Sequence, residues 1–240
     1  MIHAILIDLD DTLVAFDAVT RQSWEQVCQE YCGGKPDQNL ALLLETIARH
    51  SEAYWSDPSR HRVGRNDLRA TRREIVEQAF TEIGLPANQG HSLADRYSDV
   101  RTENMFVLPG ARETLEQLRV RGIELCMVTN GESETQWQKI RRFDLARHFD
   151  HVLVEGDMGF GKPDDRVYAL ALSLLAVPPE QICMVGDNLE WDVGGPITAG
   201  MKGYWIDRKG EGLPPASRIH PDGILASFAD LPAHLWSDEP

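Results

Sequence analysis

The stretch Ala4-Ile5-Leu6-Ile7-Asp8-Leu9-Asp10-Asp11-Thr12 decides the expected fold, because an apolar strand here runs directly into acidic residues. Side chains at positions i and i+2 of a strand point the same way, so Asp8 and Asp10 are expected to project together. Two carboxylates about 4 Å apart repel by roughly 1 kcal/mol in water and about 4 kcal/mol at an effective dielectric of 20. A cation would relieve this repulsion, which favours a metal site with a reactive carboxylate. A polar turn after the first strand is an equal alternative on these residues alone.

Four further apolar segments predict strands, and helical patterns separate most of them. The strands are expected at 123–129, 151–155, 181–186 and 203–207, and the helices at 111–121, 133–142, 166–176 and 193–200. Near-continuous apolar strands that alternate with helices are typical of a parallel sheet covered on both faces. The fold class is therefore α/β. The Gly-rich connection 155–162 predicts a loop.

Residues 17–106 have a different pattern, because helix-spaced apolar residues dominate and no segment predicts a strand. Turn signals occur at Gly33-Gly34 and Gly84-Leu85-Pro86. A structureless loop of this length is improbable in a compact protein. We therefore predict an all-helical domain at 17–106, inserted into a core formed by 1–16 and 107–240.

The formal net charge of −14 argues against a nucleic acid or an anionic membrane as partner, because both require a basic surface. An anionic small molecule is compatible with it, since a local cluster of lysine, arginine and metal outweighs the global charge. We find no secretory signal and no apolar stretch of membrane-spanning length. The four cysteines do not make a disulfide framework in a chain of this length, and a cytoplasmic location is expected.

Three further motifs fall where strands are predicted to end, which is the edge at which open α/β sheets bind ligands. Val128-Thr129-Asn130-Gly131 offers a hydroxyl, an amide and backbone N–H groups to an anionic oxygen, although the same residues suit an ordinary turn. Gly161-Lys162-Pro163 carries a lysine, and its proline is expected to start a helix. Gly186-Asp187-Asn188 ends the fourth strand, with Asp192 one turn later. The competing interpretation of the first of these aspartates is a helix N-cap.

Taken in order, the acidic, Thr, Lys and acidic motifs resemble those of the haloacid dehalogenase-like hydrolase superfamily. The matching residues are Asp8-x-Asp10-x-Thr12, Thr129-Asn130-Gly131, Gly161-Lys162-Pro163 and Gly186-Asp187-x-x-x-x-Asp192. The resemblance covers essentially the whole chain. It implies a Rossmann-like core of strand order 3-2-1-4-5 with helices on both faces, and a first-position helical cap at 17–106. It also implies a closing edge segment and helix at 222–235.

The branch of the family indicated by this cap holds phosphoglycolate phosphatase-like, N-acylneuraminate-9-phosphatase-like and pyrimidine nucleotidase-like enzymes. The resemblance therefore implies Mg²⁺-dependent hydrolysis of a small phosphate monoester through an aspartyl-phosphate on Asp8, with Asp10 as general acid and base. The Mg²⁺ ligands would be the Asp8 carboxylate, the Asp10 main-chain carbonyl and Asp187. Thr129 and Lys162 would stabilise the transferring phosphoryl group. Further residues are implied at the substrate (Thr12, Asn130 and Gly131) and just beyond the metal ligands (Asp192 and Asn188).

Within the inserted domain, Arg62 and Arg65 are candidate substrate contacts, because they lie in a basic stretch that suits an acidic or phosphorylated molecule. The alternative is a solvated helix face, since the basic run continues through 69–73 beside Glu74 and Glu77. The expected assembly is a monomer or a homodimer.

Other functions of the same residues stay open. Asp10 favours phosphate ester hydrolysis over 2-haloacid dehalogenation, because a halide leaving group needs no proton. A sugar-phosphate mutase would share the core. A non-enzymatic aspartyl-phosphate signalling module would also use acids, Mg²⁺, Thr and Lys, but its phosphorylated aspartate follows a later strand and it lacks a helical insert. The full set of catalytic residue types argues against a silent ligand-binding relative.

Overall fold

The computed structural model describes residues 1–33 and 39–236 and divides the chain into two units. The first unit comprises Met1–Ala15 and Phe106–Pro240, and the second comprises Phe16–Met105. Each junction lies one residue before the predicted boundary, and the role of the second unit as a cap stays a prediction. Of the predicted turn at Gly33-Gly34, Gly34 lies outside the described residues.

The first unit is built on a six-stranded parallel sheet of order β3-β2-β1-β4-β5-β6. The strands are β1 (Ala4–Ile7), β2 (Glu124–Thr129), β3 (His151–Val154), β4 (Ile182–Gly186), β5 (Lys202–Ile206) and β6 (Gly223–Leu225). The predicted α/β class and the order 3-2-1-4-5 are confirmed, and the sixth strand lies in the region expected to close the edge. Ile7 is level with Met127 of β2 and with Val185 of β4, so the three central strands end side by side.

Eleven α-helices occur in the described part of the chain. The second unit contains α1 (Thr20–Cys32), α2 (Leu40–Trp55), α3 (Pro58–Gly64), α4 (Leu68–Glu82) and α5 (Ala87–Asn104). The first unit contains α6 (Ala111–Val120), α7 (Ser133–Arg142), α8 (Glu155–Met158), α9 (Asp165–Leu175), α10 (Gly195–Thr198) and α11 (Leu231–Leu235). None of the helices in residues 1–33 and 39–236 combines the length and the apolar character that a membrane span requires.

The central strand β1 is covered on both faces, as its unbroken apolar sequence predicts. All four of its side chains are fully buried. Ala4 and Leu6 share a core cluster with Val167, Tyr168 and Ala171 of α9. Because burying one aliphatic side chain contributes roughly 1.5–3 kcal/mol, this packing holds the end of β1 in place.

The second unit has its own apolar core, formed by side chains of α1, α2, α4 and α5. Its basic run pairs differently from the prediction. Arg69 and Arg73 form ion pairs with Asp95 and Asp99 of α5, whereas pairing with acids on their own helix was expected. The reason is that α4 packs against α5, which places the opposite charges face to face across the helix pair.

Three local predictions in the first unit are corrected. The connection 155–162 includes the short helix α8 and is not wholly a loop. The helix expected at 193–200 is a π-helical segment, Leu189–Gly194, followed by α10. Pro163 does not start α9, because the Asp164 side chain accepts a hydrogen bond from the Arg166 N–H and caps the helix one residue later.

Candidate active site

Three of the predicted site residues of the first unit lie at the carboxyl ends of the three central strands. Asp8 follows β1, Thr129 ends β2 and Asp187 follows β4. The parallel register brings these ends to one edge of the sheet, where open α/β sheets bind ligands.

Lys162 connects two of the acidic motifs. Its Nζ lies 2.7 Å from Asp8 Oδ1 and 2.6 Å from Asp192 Oδ1, and its side chain is 2% exposed. Burial alone would lower the pKa of Lys162, but the two carboxylates raise it above its usual value. The side chain is therefore a fixed positive charge beside Asp8.

Asp8 is buried, and both of its carboxylate oxygens have partners. Oδ1 accepts from Lys162, and Oδ2 accepts from the Thr12 hydroxyl at 3.2 Å. Burial raises the pKa of Asp8 to about 7, against the opposing effect of the lysine. Thr12, predicted to contact substrate, thus donates a hydrogen bond to the candidate nucleophile in this structure.

Asp8, Asp187 and Asp192 each contribute one carboxylate oxygen to a cluster in which these atoms lie within 4.8 Å of one another. Although Asp187 is exposed to solvent, partial desolvation and then the neighbouring charges of Asp8 and Asp192 raise its pKa to about 9. Hard carboxylate oxygens are the ligands that Mg²⁺ prefers. The donor set therefore fits a divalent cation, whose charge would offset the desolvation and the repulsion between carboxylates that together raise both pKa values.

Asp192 differs from the other two acids, because the protein engages both of its oxygens. Oδ1 accepts from Lys162, and Oδ2 accepts from the Asn188 N–H at 3.0 Å. The Asn188 side chain in turn caps the π-helical segment by accepting from the N–H groups of Glu190 and Trp191. Asn188, and not Asp187, is therefore the N-cap.

Two glycines allow these close approaches. A Cβ at Gly186 would lie 2.3 Å from Asp192 Oδ2, and one at Gly161 would lie 2.5 Å from Asn130 Oδ1. Real Cβ contacts are longer than this, so either side chain would push the neighbouring polar group away. Gly186 and Gly161 thus permit the position of Asp192 and of the Lys162 backbone.

The second motif binds the lysine loop. The Asn130 amide donates to the Lys162 carbonyl at 2.7 Å and accepts from the Lys162 N–H at 2.8 Å. The Gly131 N–H, expected to contact substrate, is donated to the Glu155 carboxylate at 2.8 Å. In this structure Asn130 and Gly131 therefore contact protein groups, and their roles at the substrate stay predictions.

Asp10 has partners that the sequence analysis missed. Lys139 Nζ lies 2.7 Å from both of its carboxylate oxygens, and Gln136 Nε2 donates to Oδ2 at 3.0 Å. The same Gln136 nitrogen lies 2.6 Å from Thr129 Oγ1. The available signal was helical spacing, since Gln136 and Lys139 share the side of α7 that carries the buried Ile140.

Arg62 and Arg65 lie in the second unit, in and directly after α3. Arg62 is exposed and Arg65 is half-buried. Their predicted role in substrate binding stays a prediction.

A parallel α/β core with acids at the ends of two central strands, and with a buried lysine bonded to Asp8 and Asp192, defines a class of hydrolases. The model of the haloacid dehalogenase-like hydrolase family matches residues 2–200, and the chain belongs to that family. It is 32% identical over 221 residues to the phosphoserine phosphatase of Thermus thermophilus, a match that covers 85% of this chain and 88% of that protein. It is 33% identical over 240 residues to the N-acylneuraminate-9-phosphatase of Rattus norvegicus, a match that covers 98% of this chain and 94% of that protein.

A solved structure extends the likeness to the fold. YfnB of Bacillus subtilis, solved with bound magnesium, superposes with a TM-score of 0.73 at 24% identity, and the match covers 98% of both chains. The predicted family resemblance is confirmed.

Proposed function

We propose that this hydrolase cleaves a small phosphate monoester with Mg²⁺, through an aspartyl-phosphate on Asp8. The observation that carries the proposal is the position of Asp8, which is held 2.7 Å from the Lys162 ammonium beside the Asp187 carboxylate. A carboxylate that attacks a phosphate dianion meets like charge, so it needs positive charge at the reacting atoms. The phosphatase names of two relatives that match over most of their length also support the proposal.

In the first step, an Asp8 oxygen attacks phosphorus and the bond from phosphorus to the alcohol oxygen breaks. The Asp10 carboxyl gives its proton to the departing oxygen. Lys162 neutralises charge on Asp8 before attack and on the phosphoryl oxygens during it. The products of this step are the free alcohol and the aspartyl-phosphate.

In the second step, water attacks phosphorus and Asp10 accepts its proton. The bond from phosphorus to Asp8 breaks, which releases inorganic phosphate and regenerates the carboxylate. The Thr129 hydroxyl is suited to donate to a phosphoryl oxygen in both steps, because its oxygen already accepts from Gln136.

Mg²⁺ would be held by the Asp8 carboxylate, the Asp10 main-chain carbonyl and Asp187, and it would neutralise negative charge on the phosphoryl oxygens. Asp192 would act from outside the ligand set, because its two oxygens are occupied by Lys162 and the Asn188 N–H. These two contacts of Asp192 hold Lys162 and the acidic turn after β4 in fixed positions relative to each other.

Phosphate release from a panel of phosphate monoesters tests the proposal. The purified protein is expected to release phosphate with Mg²⁺ and to stop when EDTA is added. Asp8→Asn is expected to abolish turnover, whereas Asp165→Asn, at an exposed position of α9, retains it. No release from any ester, or full activity of the Asp8 variant, would contradict the proposal.

The same assay distinguishes the alternatives. Conversion of a sugar phosphate to its isomer without phosphate release would indicate a mutase. A phosphoenzyme that persists for minutes would indicate a signalling module. The substrate, the cytoplasmic location and the monomeric or dimeric state stay predictions.

A further inference from the structure

We infer that Gln136 and Lys139 are positioning residues, which fix the Asp10 carboxylate and the Thr129 hydroxyl in one arrangement. This inference rests on the proposed function, because it concerns the group that would transfer protons to and from substrate.

The contacts converge on Asp10 from one face of α7. Lys139 Nζ bonds both carboxylate oxygens at 2.7 Å, and Gln136 occupies Oδ2 at 3.0 Å. The Lys139 side chain is 5% exposed, while that of Asp10 is 24% exposed. Three hydrogen bonds to two oxygens restrict the Asp10 side chain to a single rotamer, with one part of the carboxyl still open to solvent.

A purely structural ion pair would not need this arrangement. Burying an ammonium group costs free energy unless it is paired and hydrogen-bonded, and replacing a buried pair by apolar groups is often neutral or stabilising. The buried cation here is directed at the acid two residues after the candidate nucleophile. The pairing is therefore better explained by the geometry it imposes on Asp10 than by stability.

Gln136 links this acid to the second motif. Its amide nitrogen carries two hydrogens, one for Asp10 Oδ2 and one for Thr129 Oγ1 at 2.6 Å. A hydroxyl that accepts from an amide directs its only proton elsewhere. Gln136 thus orients the Thr129 hydroxyl as a donor while it holds Asp10.

Loss of the contacts that hold Asp10 affects the two chemical steps differently on alkyl and on aryl phosphates. An alkoxide leaving group needs a proton, whereas an aryl group such as 4-nitrophenolate leaves without one. Hydrolysis of the aspartyl-phosphate needs a base whichever substrate formed it. A misplaced Asp10 therefore slows both steps on an alkyl phosphate but only the second step on an aryl phosphate.

The test compares Lys139→Met and Gln136→Leu with the wild type. For Lys139→Met we expect kcat on an alkyl phosphate to fall by about 10²-fold, the lower end of what general acid–base catalysis contributes, with KM unchanged. On 4-nitrophenyl phosphate the variant releases a burst of one nitrophenolate per enzyme and then turns over slowly. Gln136→Leu shows the same pattern in weaker form, because Lys139 still holds Asp10.

Arg141→Met is the matched control, since Arg141 is an exposed cation on the same helix and pairs only locally with Glu134 among the contacts described. It is expected to behave as the wild type on both substrates. An equal loss on alkyl and aryl phosphates without a burst, or wild-type kcat on the alkyl ester, would overturn the inference.

A crystal structure of Lys139→Met separates this inference from the proposed function. We expect the Asp10 side chain to leave its wild-type rotamer. An unchanged rotamer would overturn the positioning role even if the wild type proves to be a phosphatase. A changed rotamer in a protein without phosphatase activity would support the positioning role and reject the proposed function.

Discussion

Lys162 offsets part of the negative charge of the candidate site, since one ammonium group bonds carboxylates from two different motifs. Removing one partner of a buried ion pair is costly, because it leaves the remaining charge without compensation. The lysine also opposes the rise in the pKa of Asp8, which already reaches about 7. Its loss would therefore affect both stability and the protonation of the candidate nucleophile.

Lys162→Met is expected to lower the free energy of unfolding by about 3 kcal/mol near pH 8 and to abolish turnover. The stability loss is smaller near pH 5, because Asp8 is then largely protonated and needs no cation. Urea unfolding at the two pH values measures this difference. Lys202→Met, at an exposed position of β5, serves as the control and is expected to change neither property. A loss of stability that is the same at both pH values would contradict the role of Lys162 in compensating the charge of Asp8.

Asp10→Asn tests the other acid of the first motif. We expect the fold and Mg²⁺ binding to persist, because the main-chain carbonyl is unchanged, while kcat falls by about 10²–10⁴-fold. Steady-state kinetics and a Mg²⁺ titration of thermal stability check the two parts. Turnover like that of the wild type would refute the role of Asp10 in proton transfer.

The sequence identifies candidate catalytic and metal-binding residues when they directly follow a predicted strand. Asp8 and Asp187 fall in that class, since an apolar run fixes where each strand ends. Gln136 and Lys139 do not, because a polar residue on an amphipathic helix is usually solvated. Only the packing of α7 shows that these two side chains point toward Asp10.

At the scale of elements, the turn after β4 organises the acidic cluster. The Asn188 side chain caps the π-helical segment, and its N–H fixes Asp192. The sequence predicts β4 well, because it is a short apolar run bounded by turn residues. It does not predict the π-helical turn, whose geometry depends on a cap and on the close approach of Asp192 to Gly186.

Asn188→Ala is expected to destabilise the protein by about 1 kcal/mol through loss of the cap. The looser turn also displaces Asp192, so activity or Mg²⁺ affinity falls by about 10-fold, as for other residues that support metal ligands. Thermal unfolding and kinetics provide the two measurements.

Asn39→Ala is the matched control, because Asn39 caps α2 of the second unit in the same way, by accepting from the N–H groups of Ala41 and Leu42. It should cost a similar free energy and leave activity unchanged. Equal losses of activity in the two variants would indicate that the turn after β4 has no special effect on the site.

At the scale of the whole molecule, the chain carries a formal charge of −14 and collects several carboxylates at one sheet edge. The order of the motifs along the chain is sufficient to predict the family, because three of the four motifs fall at the end of a strand in one sheet. The electrostatic cost of bringing them together depends on burial and distance, which the order of residues does not reveal.

The electrostatic cost of bringing the acids together predicts how the stability of the metal-free protein depends on pH. The native pKa values of Asp8 and Asp187, about 7 and about 9, lie above their usual value of 3.8. At pH values between the usual pKa and these raised pKa values, the native state binds more protons than the unfolded state. Asp8 and Asp187 therefore lower the stability as pH rises. Mg²⁺ requires deprotonated ligands, and its stabilising effect therefore increases over the same range.

Thermal unfolding in EDTA and in Mg²⁺, across pH values from about 5 to about 9, measures both effects. In EDTA the stability of Asp187→Asn relative to the wild type is expected to increase as pH rises, because the variant lacks the carboxyl with the higher pKa. The same variant loses most of the shift in Tm caused by Mg²⁺. Asp165→Asn, which removes an exposed charge, should follow the wild type at every pH. A constant difference between Asp187→Asn and the wild type would show that burial and the neighbouring acids do not raise the pKa of Asp187, and it would remove the physical reason for a cation at this edge.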